Sequence, residues 1–149
     1  MAIDPLVLIF LSSGLFLGWA LGANDAANVF GTAVGTKMVS WRTAAIICSI
    51  CVLLGALFSG AGTTETLGKL GAISALPGAF MTALSAGFSV FIMTKGGLPV
   101  STSQAIVGAI IGWNFFSQKP TDTVILLKIL STWILCPLLA GIIAVLLVK

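Results

Sequence analysis

The sequence predicts an all-α integral membrane protein. Three observations predict it: the composition, the length of the uncharged runs, and the places where those runs are interrupted. Apolar residues make up 58% of the 149 residues and charged residues only 7%, whereas a soluble domain carries about a quarter charged residues. Mean hydropathy is +1.18. Leu6 to Leu21, Thr43 to Thr64 and Leu70 to Thr94 hold no charge, and Ile129 to Val148 is a further such run. Stretches of about 20 apolar residues match the hydrocarbon thickness of a bilayer, where each backbone polar group must be satisfied within a helix.

Other classes fit poorly. A secretory leader needs a basic stretch before its apolar core, and Met1-Ala2-Ile3-Asp4-Pro5 is not one. A net charge of +3, scattered along the chain, suggests neither nucleic acid nor a polybasic lipid patch. Histidine, the commonest metal ligand and general base, is missing from the sequence. Cys48 and Cys51 form a C-x-x-C inside an apolar run, not at a strand-to-helix turn. With Cys136 they read as buried small apolar side chains, not a redox pair.

The first segment is expected from about Pro5 to Val34. Gly14, Gly18 and Gly22 give it a small-residue stripe suited to close helix approach, and residues 22–28 are expected to break it. A second segment runs from Trp41 to Gly60. Residues 61–76 read as a short interfacial helix ahead of Pro77. A third segment, Gly78 to Thr94, is followed by the breaker Lys95-Gly96-Gly97-Leu98-Pro99 and a shorter apolar piece from Ser101 to about Phe116. The last segment runs from Thr123 to Val148, with Pro137 as a kink. Trp41, Trp113 and Trp133 are candidate interface anchors.

Residues 78–116 admit two readings, a membrane span or a re-entrant helical hairpin, and the hairpin is favoured. As a helix, Ser101 to Gly112 covers only about 18 Å, and a glycine-rich break at membrane depth needs protein or a wet cavity around it. Three crossings then leave the chain's ends on opposite faces. Lys37, Arg42 and Lys149 share one face, and Asp4, Glu65, Lys69, Lys119 and Asp122 share the other. The positive-inside rule puts the N-terminus outside.

Two polar constellations carry the chemistry. Asn24, Asp25 and Asn28 lie in the first segment, and an intramembrane carboxylate points to function by default. Flanked by amide oxygens, Asp25 offers hard ligands for Na⁺ or a site for a proton. The plainer reading is an ion pair, with Lys95 as partner. The second constellation is Ser101-Thr102-Ser103-Gln104, which opens the short apolar piece after Pro99. Free N–H groups at a helix start, three hydroxyls and an amide make an anion cradle suited to phosphate or sulfate. Here the plainer reading is an ordinary N-cap.

The stretch from Gly22-Ala23-Asn24-Asp25-Ala26-Ala27-Asn28 to Gly35 resembles one signature of the PiT family of inorganic phosphate transporters. Gly97-Leu98-Pro99-Val100-Ser101-Thr102-Ser103-Gln104, continuing to Gly112, resembles its second. The resemblance implies phosphate uptake coupled to Na⁺ or H⁺ by alternating access, without a cofactor and without enzymatic activity. Asn24 and Asp25 would serve the cation site (Na⁺, if sodium-coupled), joined by Asn28. Ser101, Thr102, Ser103 and Gln104 would serve the phosphate site. Many members carry His where Gln104 stands, so this chain lacks a titratable group there.

Family members usually carry each signature twice, in inverted halves, and here each occurs once. Residues 1–149 are therefore expected to form a single transmembrane repeat, equivalent to the N-terminal half of a two-repeat transporter. The expected partners are the bilayer, the transported ions and an inverted second half, supplied by a longer chain or by a second copy in a homo-oligomer. The expected location is the plasma membrane. A sulfate permease, a passive channel and a non-transporting assembly subunit are the alternatives.

Overall fold

The computed structural model describes residues 5–71 and 76–148, which form five α-helices. These are α1 (Pro5–Gly35), α2 (Trp41–Leu70), α3 (Leu76–Lys95), α4 (Thr102–Phe116) and α5 (Thr123–Val148). Asp4 and Lys149, used above for charge placement, lie outside the described residues, as do residues 72–75 of the expected interfacial helix.

The helix ends follow from local chemistry. Pro5 opens α1, where its missing N–H costs nothing. Ser40 caps α2 by accepting from the Thr43 N–H at 3.2 Å. Asp122 Oδ1 caps α5, accepting from the Val124 and Ile125 N–H groups at 2.9 and 3.0 Å. Three helices end in the same left-handed turn, with paired bonds back to the last carbonyls. In α1 the pair is Lys37 N to Val34 O and Met38 N to Ala33 O. In α3 it is Gly97 N to Thr94 O and Leu98 N to Met93 O, and in α4 it is Gln118 N to Phe115 O and Lys119 N to Asn114 O. Lys37 and Gln118 take the left-handed conformation despite their side chains, and only α3 has a glycine there, Gly97 at φ 72.

Two expectations fail here. α1 is one unbroken helix of 31 residues, and residues 22–28 do not interrupt it. The segment expected to be a separate interfacial helix instead continues α2 to Leu70. Gly22 and its polar neighbours suggest a break in α1, and the polar residues after Gly60 suggest a separate helix, but glycine is tolerated in both places. Its penalty of about 1 kcal/mol is smaller than the cost of opening backbone hydrogen bonds in a bilayer. α5 continues past Pro137 as one helix.

α1 and α3 run parallel and make the most extensive interhelical contact. Phe10 meets Phe80 edge-on at 5.8 Å, Phe16 meets Phe88 at 6.1 Å, and Trp19 meets Phe91 at 5.7 Å. Gly87 permits this approach: a Cβ there would lie 2.9 Å from the Phe16 ring and 3.2 Å from the Leu17 backbone. The Gly14, Gly18 and Gly22 stripe is unused, with nothing within 4 Å of an added Cβ.

α3 and α4 form an antiparallel hairpin, with the Trp113 ring of α4 seated on Gly78 at the start of α3. At its base a small core of Leu70, Val107 and Ile110 gathers residues from α2, α4 and α5, including Trp133. Asn114, 1% exposed, donates to Thr121 Oγ1 at 2.9 Å and ties α4 to the start of α5.

The apolar residues face outward. Leu57, Phe58 and Phe115 are 81–88% exposed, and α5 buries none of its residues. Cys48 is half-buried and Cys51 and Cys136 are exposed, all as free thiols, so the cysteines are surface apolar groups and not core ones. Among the described residues, α1, α2, α3 and α5 are long and apolar enough to cross a membrane, while α4 is not. This is a multi-pass membrane protein.

Candidate functional site

The hairpin tip meets α1 two-thirds of the way along it. Asn24 is 3% exposed. Its Nδ2 donates to Val100 O at 2.7 Å and to Asp25 Oδ1 at 3.0 Å. Its Oδ1 accepts from Thr94 Oγ1 at 3.3 Å and lies 3.5 Å from Val100 N. Thr102, buried in the first turn of α4, donates from Oγ1 to Asp25 Oδ2 at 3.1 Å. The two constellations, 76 and 77 positions apart, are therefore one cluster.

The other candidates divide. Ser101 is the N-cap of α4, accepting from the Gln104 N–H at 3.3 Å, as the plainer reading had it. Its own O–H remains available to donate. Ser103, Gln104 and, one turn beyond Asn24, Asn28 are exposed. Lys95 does not pair with Asp25: its Nζ sits 5.7 Å from the centroid of the Phe91 ring. The one salt bridge among the described residues joins Lys69 to Glu65.

Sequence reasoning missed Thr94, the Val100 backbone and the Asn114–Thr121 contact. Asn114 carried a legible signal, a lone amide inside an apolar segment. Nothing in the sequence tells which backbone group Asn24 would find.

Chemically, the cluster presents a carboxylate held by one N–H and one O–H donor, with lone pairs to spare on an open side. Beside it stands the N-terminus of α4. The first N–H groups of a helix have no intrahelical partner. Ser101 takes those of Gln104 and Ala105, which leaves the Thr102 and Ser103 amides with the exposed Ser103 hydroxyl. A carboxylate and the free amides of a helix start therefore adjoin, with Thr102 belonging to both.

A multi-pass membrane protein that brings a carboxylate to a helix N-terminus has the makings of an ion-binding site, and comparison with known proteins gives the family. The sequence profile of the phosphate transporter family matches residues 21–149, and the chain belongs to that family. It is similar to a provisionally named phosphate permease of Pyrococcus furiosus, at 35% identity over 97% of this chain and 37% of the relative. One from Thermococcus kodakarensis is 34% identical over 98% of this chain and 38% of the relative. Sodium-dependent phosphate transporter 1 of Mus musculus is 35% identical over 81% of this chain and 19% of the relative. The chain thus spans less than two-fifths of the length of these relatives. No solved structure matches it.

Proposed function

We propose that the chain is one repeat of a cation-coupled phosphate symporter working by alternating access. The observation that carries this reading is the Thr102–Asp25 hydrogen bond. It joins a cation-binding carboxylate to the helix start that would hold the anion, so that the two charges offset each other in a low-dielectric interior. Asp25 and Thr102 would hold the cation with Asn28. The Ser101, Thr102 and Ser103 hydroxyls, Gln104 and the first-turn amides would hold phosphate. Na⁺ is the favoured coupling ion, since position 104 is not titratable and one relative is named as sodium-dependent.

Depth supports a re-entrant hairpin. α1 continues eleven residues past Asn24, roughly 16 Å at 1.5 Å per residue, so the tip stops well short of that face. Exposed Asn28, Ser103 and Gln104 at this depth cannot face hydrocarbon cheaply. Their exposure supports an inverted second half, from the same longer protein or another copy, closing over a wet site in the plasma membrane.

The test is phosphate uptake into proteoliposomes containing the chain, alone and with an inverted half, with and without a Na⁺ or H⁺ gradient. Accumulation driven by a cation gradient is expected. Gradient-independent equilibration would mean a channel, and stronger competition by sulfate than by phosphate would reassign the cargo.

A further inference from the structure

We infer that Asn24 is a positioning residue whose amide clasps the hairpin tip to α1 and aims the Asp25 carboxylate, and that it is not itself a cation ligand. Its kinetic consequences rest on the transport reading above, whereas the clasp stands on geometry alone. An amide side chain offers two N–H donors and one oxygen acceptor with two lone pairs. Both donors are engaged, to Val100 O and to Asp25 Oδ1, and the oxygen faces two donors, Thr94 Oγ1 and Val100 N. At 3% exposure no lone pair is left for an ion.

The tip needs such a partner. Pro99 has no N–H, and the turn's own bonds end with Leu98 N to Met93 O. Val100 then stands between the end of one helix and the cap of the next. Asn24 meets both its N–H and its C=O, as a neighbouring peptide would. The same amide holds Asp25 Oδ1, while the Thr102 hydroxyl lies nearer Oδ2, at 3.1 Å against 3.5 Å to Oδ1.

The test compares Asn24→Ala, Asn24→Asp and Thr94→Val in the full chain. Hydrogen exchange is read in lipid nanodiscs and Na⁺-dependent phosphate uptake in proteoliposomes. Asn24→Asp keeps the shape and the oxygen but loses both donors. A ligand role predicts that it preserves or tightens cation binding, whereas the clasp predicts that it fails alongside Asn24→Ala. Expected in both variants is exchange faster by about tenfold across residues 96–102, with residues 113–117 unchanged. The half-saturating Na⁺ concentration should also rise by about tenfold, with less change in maximal rate, as the loss of hydrogen bonds to a charged group implies. Thr94→Val, which removes one donor, should speed exchange at the tip alone and by less. Tip exchange unchanged in the Asn24 variants, or wild-type behaviour of Asn24→Asp, would overturn the clasp. If both Asn24 variants unfold globally, Thr94→Val decides, and no change at its tip overturns the inference. Absence of cation-dependent uptake by the wild-type chain, both alone and with an inverted half, would refute the transport reading and leave the exchange result to judge the clasp.

Discussion

Thr102 Oγ1 donates to Asp25 Oδ2 across 3.1 Å, so the first residue of α4 is bonded to the carboxylate of a helix that precedes it by 77 positions. Removing that hydroxyl without changing shape, as Thr102→Val, should raise the half-saturating cation concentration by about tenfold, the worth of a hydrogen bond to a charged group. Asp25→Asn should abolish cation dependence while the helical circular dichroism stays intact. Normal coupled uptake by Asp25→Asn would remove the carboxylate from the site.

Ser101 and Ser103 should separate in stability. Ser101 caps α4, so Ser101→Ala should cost about 1 kcal/mol in thermal or denaturant unfolding. Ser103 is exposed, and Ser103→Ala should stay within about 0.5 kcal/mol of wild type while raising the phosphate KM. Equal destabilisation by the two would show that the cap is not where the structure has it.

Glycines differ by what surrounds them. An added Cβ at Gly71 would lie 2.5 Å from Ile110 Cγ2, and at Gly78 it would lie 2.9 Å from the Trp113 ring. Gly71→Ala and Gly78→Ala should each destabilise by about 1–3 kcal/mol through overpacking. Gly18→Ala meets nothing within 4 Å and should leave the melting temperature of the isolated chain unchanged or raise it. A fall would reveal a helix packed on that stripe.

The depth of the tip is open to labelling. Leu98→Cys, in a chain whose three native cysteines are replaced, should react slowly with a bulky membrane-impermeant maleimide from either side. Lys37→Cys and Gln118→Cys should react quickly, from opposite sides. Fast labelling of Leu98→Cys from the Lys37 side would mean that α3 crosses completely.

The helices were legible because apolar runs of bilayer length allow little else, and the hairpin because Gly97 and Pro99 interrupt such a run. The continuity of α1 was not legible. Local propensity marks Gly22 and Asn24 as weak helix formers, but the environment decides, and in lipid an opened backbone costs more than a poor propensity. The signature residues were recognisable as a set, while their division of labour was not. Which of four consecutive polar side chains caps and which turns inward depends on the hundred-degree step of α4 and on where α1 stands. Thr102 faces α1, and Ser101 faces its own helix.

The parallel pairing of α1 with α3 has a consequence for biogenesis. α1 emerges from the ribosome long before its main partner, and Asn24 waits 76 residues for Val100. At about 5–20 residues per second that is roughly 4–15 seconds. During that interval a buried-to-be amide and a carboxylate sit in or beside the translocation machinery with only each other for partners until the hairpin follows. Insertion of this chain therefore passes through an obligatory stage in which the polar pair of its first helix is unsupported, and the nascent hairpin, not α2, is what ends it.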